Sequence, residues 1–489
     1  MEKLRKFLKD ESMSPILAAL AAGLYPILFY YTNNYTLINS WDHLGYFVMI
    51  FLVLPMIIFS VVFRVSKLQV FHKWQKYVLP FLNLFVFLFL LKVCLYAGLQ
   101  KKMTLGIIIV TFLVVWFFYR FFKKWVVVQL VLAVIGAFTL IPVVISQLNY
   151  SREWLKQPDD IENAVFKKKP NVYLIQPDGY VNFSELKKGY YNIDNSEFES
   201  FLATNNFKNY PEFRNNYAST LSSNSATFMM KHHHYNKGSN FSEGINAREI
   251  IISENSVLSA FKKNGYKTHY ISEKPYLLVN RPKMGYDYCN FSYDEIPYLS
   301  TGFSDRRDIL EPLSEYIEQN PNEAKFVFIE FFNPGHIANR KVATLGKEKE
   351  KEAWVESLER ANDTLEKLVS EIKEKDPNSL ILIMSDHGGY VGMDYAQETE
   401  TKTQDRDLIY SMFSSQLSIH WPDGIAPSID EHMKSAVNVF RVLISYMSET
   451  EVYLEHLQDN SSYIIINDGA PKGVYKYIDN EGKITFLKH

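Results

Sequence analysis

The stretch that decides the fold is Leu380-Ile-Leu-Ile-Met-Ser-Asp-His-Gly-Gly389, in which five apolar residues precede an acid, a histidine and two glycines. An unbroken run of this length, rich in Ile and Leu, is typical of a strand that is buried on both faces of a sheet. Open α/β sheets bind ligands at the carboxyl ends of their strands. The pattern therefore predicts that Asp386 and His387, both of metal-ligand type, lie at a site, and that the glycines let the backbone approach a ligand. An ordinary polar turn after a strand remains the alternative.

Two further apolar runs end in residues of the same kind. Val172-Tyr-Leu-Ile-Gln-Pro-Asp178-Gly179 ends in an acid and a glycine, and Phe326-Val-Phe-Ile-Glu-Phe-Phe-Asn-Pro-Gly-His336 ends in a loop histidine. Because parallel strands end at the same edge of a sheet, we expect the three ends to lie together. Three strand ends with compatible ligand chemistry predict one metal site.

The segments between these strands have helical patterns. Helices are predicted over residues 196–205, 219–230, 256–263, 347–373 and 433–447, and further strands over 268–272 and 410–419. Strands that alternate with helices predict an α/β domain with a central mixed, mostly parallel sheet flanked by helices.

The first 150 residues have a different composition. Apolar runs near spanning length cover residues 16–30, 47–63, 78–96, 105–119 and 126–148. A membrane span needs about 20 residues, so this part is predicted to be an α-helical membrane domain of about five transmembrane helices. The chain is thereby divided into a transmembrane domain (1–150), a juxtamembrane helix and linker (151–169) and a catalytic domain (170–489).

Lys and Arg residues predict the orientation of these spans. Four Lys or Arg residues precede the first apolar run, and none lies between the first and the second run. Four follow the second run, two follow the third run and three follow the fourth run. This alternation predicts a cytoplasmic N-terminus, and five spans then place the residues after Asn149 outside the cytoplasm. The predicted location is a bacterial-type inner (cell) membrane. Lys92, inside the third run, is expected to snorkel to the interface or to contact a head group or a partner helix.

Charge and cysteine content exclude some classes of function. A net charge of -2 gives no electrostatic reason to expect nucleic acid as a partner. The two cysteines, Cys94 and Cys289, lie in unlike surroundings, so no disulfide framework is implied.

The order of these motifs along the chain resembles that of the alkaline phosphatase superfamily. A strand that ends in Asp-Gly comes first, followed by a helix start rich in Ser and Thr, a loop histidine, and a strand that ends in Ser-Asp-His-Gly. With the membrane spans, this order resembles the membrane sulfatase-like branch, which includes lipoteichoic acid synthases and phosphoethanolamine transferases. Asn215-Asn-Tyr-Ala-Ser-Thr-Leu-Ser-Ser223 is similar to the segment around the nucleophile of that branch, and Ser435-Ala-Val-Asn-Val-Phe-Arg441 to a late helix motif. The likeness covers roughly Lys169 to the end of the chain.

The resemblance implies that Thr220 is the nucleophile and that Asp178, Thr220, Asp386 and His387 surround one divalent metal. Two carboxylates and an imidazole suit Zn²⁺ or Mn²⁺, and metal coordination activates a hydroxyl. Other hydroxyls nearby are rivals as nucleophile or simple helix caps, namely Ser219, Ser222 and Ser223.

Several histidines are further candidates. His336 is expected to orient a substrate oxygen, protonate the leaving group or ligate a second metal. His420, after the run 410–419, is a possible substrate contact. The run His232-His-His234 is either a second metal site or a solvated turn, and adjacent residues rarely all face one ion.

The implied activity is a membrane-bound phosphotransferase that moves a phosphoethanolamine-type or phosphoglycerol-type group from a lipid donor to an envelope glycan or lipid acceptor through a covalent phospho-threonine. The alternatives are a membrane-anchored hydrolase of phosphate or sulfate esters and a degenerate scaffold without activity. The C/S-x-P-x-R motif that matures to formylglycine in type I sulfatases is missing from the sequence. Gly389 stands where many relatives carry an acid.

Overall fold

The computed structural model describes residues 7, 12, 14–96, 98–237, 244–299 and 306–489. The chain divides into two compact units. One contains the described residues up to Asn149 together with 279–281 and 294–299, and the other contains the rest of the described chain from Tyr150 onward.

The first unit is helical. Its α-helices are α1 (Pro15–Ile38), α2 (Trp41–Val48), α3 (Leu54–Val65), α4 (Gln75–Leu95), α5 (Lys101–Phe118) and α6 (Phe122–Leu148). A π-helical segment, Met49–Val53, joins α2 to α3.

Four stretches of the described chain are helical, long and apolar enough to cross a membrane, and they are Pro15–Ile38, Trp41–Val65, His72–Leu95 and Lys101–Leu148. The last has 48 residues. As one straight helix it would be about 72 Å long, more than twice the ~30 Å thickness of a bilayer core. A 3₁₀ turn at Tyr119–Phe121 separates it into α5 and α6. The first unit is therefore a membrane domain, and the number of five passes stays a prediction.

Three buried polar side chains inside this unit, those of Asn83, Gln129 and Lys92, are hydrogen-bonded. The amides of Asn83 and Gln129 exchange two hydrogen bonds of 2.8 and 3.0 Å, and Asn83 also donates to the carbonyl of Ala18. The ammonium of Lys92 donates to the carbonyls of Gly98 and Leu99, both at 2.9 Å. Lys92 thus stabilises the chain that leaves α4, a role that the sequence did not predict.

The second unit is an α/β domain. Its helices are α7 (Phe183–Leu186), α8 (Ser196–Thr204), α9 (Thr220–Met229), α10 (Ala247–Ile252), α11 (Ser256–Lys263), α12 (Leu310–Gln319), α13 (Lys347–Lys375), α14 (Arg406–Phe413) and α15 (Ala436–Ser448). Its strands are β1 (Val172–Pro177), β2 (Phe207–Asn209), β3 (Lys267–Ser272), β4 (Tyr288–Cys289), β5 (Lys325–Phe331), β6 (Leu380–Met384), β7 (Leu417–His420), β8 (Ser462–Ile466), β9 (Gly473–Ile478) and β10 (Ile484–Lys488).

The central sheet has seven strands in the order β2-β7-β6-β1-β5-β3-β4. β1 pairs in parallel with β5 and β6, and β3 pairs in parallel with β5 and β4. Only β7 runs the other way, antiparallel to β6 and β2. This topology confirms the predicted mixed, mostly parallel sheet.

The central strands are apolar because both faces are covered. Every residue of β1, β5 and β6 is buried, and Ile175 of β1 lies opposite Ile329 and Ile383. The amphipathic helix α13 packs Trp354 and Leu358 into the core on one face. The buried strands therefore hold their carboxyl ends rigidly side by side.

Two predicted elements need correction, and one sheet was not predicted. Within residues 151–169 the structure has two single 3₁₀ turns and no α-helix. Residues 410–419 form the end of α14 and then β7 rather than one strand. A C-terminal antiparallel sheet of β8, β9 and β10 was missed by the sequence analysis.

Candidate active site

The site lies at the carboxyl ends of β1 and β6, where the parallel topology predicted it. Asp178 directly follows β1, and Asp386 and His387 follow β6 after a single serine. Backbone hydrogen bonds hold these ends to the neighbouring loop, because Gly335 N–H donates to the carbonyl of Asp178 at 2.8 Å. Gly179 N–H donates to Oδ1 of Asp386 at 3.1 Å. The two acids are therefore fixed by main-chain contacts.

Four predicted side chains converge on one point. Nε2 of His387 lies 3.2 Å from Oδ1 of Asp178 and 3.4 Å from Oδ2 of Asp386. The same nitrogen lies 3.3 Å from Oγ1 of Thr220. Asp386 and His387 are each only 2% exposed. The arrangement is a buried cluster of two carboxylates, an imidazole and a hydroxyl.

The hydrogen bonds of His387 define what its Nε2 offers. Nδ1 is 2.8 Å from the carbonyl of Gly388, which can only accept, so Nδ1 carries a proton. Nε2 therefore presents to the carboxylates either a lone pair or a second proton. Burial by itself lowers the pKa of His387, but the adjacent Asp386 and Asp178 raise it to about 9. The pocket thus favours positive charge at this nitrogen.

The pKa values of the two carboxyl groups are shifted in opposite directions by their surroundings. Burial raises the pKa of Asp386 to about 6, which the charge of His387 only partly offsets. Burial also tends to raise the pKa of Asp178, but the adjacent His387 ring brings that pKa below its usual value. Two carboxyl groups that share one small buried pocket repel each other unless a cation lies between them.

The donor set fits a divalent cation. One ligand atom each from Asp178, Asp386 and His387 lie within 4.8 Å of one another. Oδ1 of Asp178 and Oδ2 of Asp386 are buried and receive no hydrogen bond from the rest of the described structure. Buried carboxylate oxygens without donors are rare in proteins, and a metal satisfies both. The residues present therefore suit a metal that is bound by oxygen and nitrogen.

Thr220 is the first residue of α9, and its rival hydroxyls have other surroundings. Ser222 accepts a hydrogen bond from Gly244 N–H at 3.0 Å, and Ser223 donates to the carbonyl of Tyr217 at 2.7 Å. The Oγ of Ser219, the residue before α9, is buried and has no hydrogen-bond partner in the described structure. Thr220 is the hydroxyl that contacts His387.

His336 lies beside the cluster, and its ring forms a triangle with the rings of His387 and Tyr390. Its ring centroid is 5.8 Å from that of His387, and the Tyr390 ring is 5.2 Å from each. Nδ1 of His336 donates to the carbonyl of Ile337 at 2.7 Å, which leaves Nε2 as an acceptor. Burial lowers the pKa of His336, so its ring is neutral at pH 7. This imidazole can therefore exchange a proton with a substrate oxygen.

Two supporting residues were not predicted from the sequence as parts of the site. Tyr390 stacks on His387 at an interplanar angle of 15°. Trp354 donates its indole N–H to the carbonyl of Gly335, next to His336, at 2.9 Å. A possible signal for Trp354 was its isolation, since it is the only aromatic residue in the highly charged helix α13.

The two glycines after His387 serve protein packing, which corrects the prediction that they make room for a ligand. A Cβ at Gly388 would lie 2.1 Å from the carbonyl oxygen of Ser411. A Cβ at Gly389 would lie 2.2 Å from Nε1 of Trp354. An acid at position 389 therefore does not fit beside this indole.

The remaining histidines lie elsewhere. His420 ends β7, pairs with Ile381 and approaches the carbonyl of Ser379 at 3.1 Å. Because β7 is antiparallel, His420 is at the opposite end of β6 from Asp386, about 16 Å away at ~3.3 Å per residue. The structure does not bring it to the cluster, so the substrate contact predicted for it does not fit this position.

The run His232-His-His234 is largely buried rather than a solvated turn. Nδ1 of His233 accepts from Tyr235 N–H at 2.8 Å, and Nε2 donates to the carbonyl of Ser222 at 2.9 Å. Nε2 of His232 lies 2.6 Å from the carbonyl of Asp459. His232 Nδ1 forms a hydrogen bond with the Tyr217 hydroxyl at 3.2 Å, so protein groups occupy all four ring nitrogens of His232 and His233. This pattern indicates a structural role.

Comparison with known proteins gives one family match. The family model described as Sulfatase matches residues 189–448, more than half of the 489-residue chain. No curated protein sequence matches the chain.

Several solved structures are similar at low identity. The C-terminal periplasmic domain of EcEptC from Escherichia coli, in complex with Zn, is 13% identical with a TM-score of 0.43, over 65% of this chain and 96% of that one. Lipooligosaccharide phosphoethanolamine transferase A (EptA) from Neisseria meningitidis is 12% identical with a TM-score of 0.41, over 89% and 96%. Lipoteichoic acid synthase LtaP from Listeria monocytogenes is 12% identical with a TM-score of 0.41, over 70% and 92%.

Proposed function

Because the chain belongs to the sulfatase family, it is an enzyme that acts on phosphoric or sulfuric esters, and we propose that it is a membrane-bound, metal-dependent phosphotransferase. It moves a phospho-alcohol group, of phosphoethanolamine or phosphoglycerol type, from a membrane lipid to a glycan or lipid of the cell envelope. The observation that carries this proposal is the convergence of Thr220, Asp178 and Asp386 on Nε2 of His387. The membrane helices in the same chain support a lipid as donor.

In the first half-reaction the Oγ of Thr220 attacks the phosphorus of the lipid. Asp178, Asp386, His387 and Thr220 would hold the cation, Zn²⁺ or Mn²⁺, which when bound would lower the pKa of the threonine hydroxyl and neutralise charge on the phosphate. The bond from phosphorus to the lipid alcohol breaks as the Thr220–phosphorus bond forms. The proton that the Thr220 hydroxyl loses passes to Nε2 of the neutral His336 ring and from there to the departing alcohol oxygen.

In the second half-reaction the acceptor hydroxyl replaces Thr220 on phosphorus. His336, now neutral, accepts the proton of that hydroxyl at Nε2, while its Nδ1 stays bonded to the carbonyl of Ile337. The phosphorus–Thr220 bond breaks, and the threonine oxygen takes this proton back from Nε2 of His336, which restores the hydroxyl and the neutral ring. Burial keeps the unprotonated ring of His336 the stable form at pH 7, which suits a group that must receive a proton at this step.

The direct test is to trap the covalent intermediate. The purified full-length chain is incubated with metal and a phospholipid whose head group carries a label, and peptides that contain residue 220 are analysed by mass spectrometry. We expect the phospho-alcohol mass on Thr220 and none on this segment in Thr220→Ala. Ser222→Ala, a neighbouring hydroxyl bonded elsewhere, is the matched control and should still be labelled.

Product analysis distinguishes the alternatives. Labelled head group that reaches an added acceptor supports the transferase, whereas release to water with and without acceptor identifies a hydrolase. A chain that binds no metal and releases no label is the degenerate scaffold. Label on a residue other than Thr220 would contradict the assignment of the nucleophile.

The orientation is part of the same proposal. Five passes with a cytoplasmic N-terminus place the α/β domain outside the cytoplasm of a bacterial-type cell. Lys483 is exposed in this domain, so Lys483→Cys in a chain without Cys94 and Cys289 should react with a membrane-impermeant maleimide added to intact cells. Reaction only after lysis would refute the orientation.

A further inference from the structure

A polar cavity of about 430 Å³ lies beside the edge strand β2 of the α/β domain. Its walls come from β2 and the chain that follows it, from residues 430–434 and from the turn between β9 and β10. The volume is within the ~300–1,000 Å³ that is usual for small-molecule sites. No part of the proposed reaction uses this cavity.

One wall contains Arg214, a buried cation without a counter-ion. Arg214 is 6% exposed, and its Nη2 donates to the carbonyls of Asp479 at 3.0 Å and Asn480 at 3.3 Å. Both hydrogen bonds use Nη2, which leaves Nη1 for another acceptor, and no carboxylate of the described chain forms an ion pair with Arg214. A buried guanidinium with unused donors is costly unless something else accepts from it.

Another wall contains Asp430, a buried acceptor. It is 6% exposed, and its Oδ2 accepts from the hydroxyl of Tyr210 at 2.8 Å and from the ammonium of Lys208. Both contacts use Oδ2, which leaves Oδ1 for another donor. The cavity thus has a fixed buried donor and a fixed buried acceptor.

We propose that this cavity binds a neutral sugar unit. A sugar hydroxyl donates and accepts at once, so adjacent hydroxyls can satisfy both Arg214 and Asp430, whereas a bare anion only accepts. The charge of the walls favours the same ligand, because three cationic side chains face four carboxylates and the sum of -1 disfavours an anion. The cations are Lys208, Arg214 and Lys434, and the acids are Glu212, Asp430, Glu431 and Glu481.

The cavity shares a chain segment with the catalytic cluster. The residue after Arg214 is Asn215, whose Nδ2 donates to the carbonyl of Ser385 at 2.8 Å, directly before Asp386. Five residues further on is Thr220, the start of α9. A sugar bound here belongs to the glycan that receives the transferred group. That role rests on the proposed function, whereas sugar binding itself does not.

Binding is tested on the full-length chain in detergent. Saturation-transfer NMR is recorded with glucose and N-acetylglucosamine as probes, and phosphorus NMR with inorganic phosphate. Lys434→Gln and Glu481→Gln change exposed side chains of the wall, so the fold should be retained. Lys483→Gln, an exposed residue that does not line the cavity, is the matched control.

We expect at least one of the two sugars to bind, with a Kd about tenfold higher in the double variant Lys434→Gln/Glu481→Gln, as for the loss of a hydrogen bond to a charged group. Lys483→Gln should match the unmodified chain. The absence of any sugar signal at millimolar concentration, an unchanged Kd in the double variant, or binding of phosphate in place of sugar would each overturn the inference.

The outcome is separable from that of the proposed function. Thr220→Ala should abolish transfer and leave sugar binding intact. A chain that binds sugar at this cavity but never modifies Thr220 would refute the transferase mechanism alone. If the unmodified chain transfers the label and the double variant has the same acceptor KM, only the acceptor role of the cavity would be refuted.

Discussion

Replacement of Gly389 by Ala should destabilise the α/β domain through one contact. The added Cβ would lie 2.2 Å from Nε1, 2.6 Å from Cε2 and 3.0 Å from Cζ2 of Trp354. Nonbonded atoms prefer about 3.5–4.0 Å, so the indole must move by more than 1 Å. Gly389 is not among the residues with a positive φ, and its backbone therefore accepts alanine. The strain comes from packing alone.

The magnitude follows from the two losses that this movement causes. Overpacking a dense core costs about 1–3 kcal/mol. The indole N–H also leaves the carbonyl of Gly335, now 2.9 Å away, and two buried polar groups without partners cost about 1–3 kcal/mol more. Alanine also lowers the conformational entropy of the unfolded chain relative to glycine, which stabilises the folded state by only about 0.4–1 kcal/mol. The net loss of unfolding free energy is thus at least ~1 kcal/mol and up to ~6 kcal/mol.

The assay is thermal unfolding of the full-length chain in detergent within a double-mutant cycle. Gly389→Ala should lower the Tm by at least about 2 °C, and Trp354→Leu will lower it as well. The double variant should lose less than the sum of the two, because the smaller side chain relieves the clash. Gly106→Ala, where a Cβ meets nothing within 4 Å, is the control. Additive losses, or a Gly389→Ala chain as stable as the original, would refute the reasoning.

Three further changes test other parts of the structure. Asp386→Asn removes a buried ligand charge, so the bound metal measured by elemental analysis should fall about tenfold or more, and full occupancy would argue against the cluster as the metal site. Burial lowers the pKa of His233 from 6.5 to about 3. Between pH 3 and pH 6.5 the imidazole therefore binds a proton only in the unfolded chain. The free energy of unfolding should thus fall as the pH drops below 6.5, by about 2 kcal/mol at pH 5. His233→Gln should flatten that part of the Tm–pH curve, and an unaltered slope would contradict this account. Asn83→Leu leaves Gln129 unpaired in the membrane domain and should cost about 1–3 kcal/mol, whereas Asn83→Leu with Gln129→Leu should recover part of the loss in a detergent-melting assay.

The sequence was informative wherever local pattern and chain topology agree. The apolar runs of β1, β5 and β6 identified buried strands, and parallel pairing then brought Asp178 to Asp386 and His387. Those inferences needed only the length of each run and the residue that ends it.

The sequence failed where the answer depended on direction or on distant packing. Nothing in the residues of β7 encodes its antiparallel direction, and this direction is what separates His420 from the site. Residues 410–419 are apolar enough for a helix or a strand, and tertiary contacts divide them between α14 and β7. The hydrogen bond from Trp354 to the carbonyl of Gly335 could not be predicted, because these two residues come together only in the folded chain.

The contact between Gly389 and Trp354 also restricts which substitutions these two positions can accept during evolution. An acid after Asp-His-Gly, which the family resemblance implies for many relatives, requires space that the indole of Trp354 in α13 fills. Neither substitution is tolerated alone without cost, since a smaller side chain at 354 leaves a void and an acid at 389 collides. The two positions should therefore be inherited as a pair. In homologous chains, tryptophan at the first should accompany glycine at the second, and a small residue should accompany the acid.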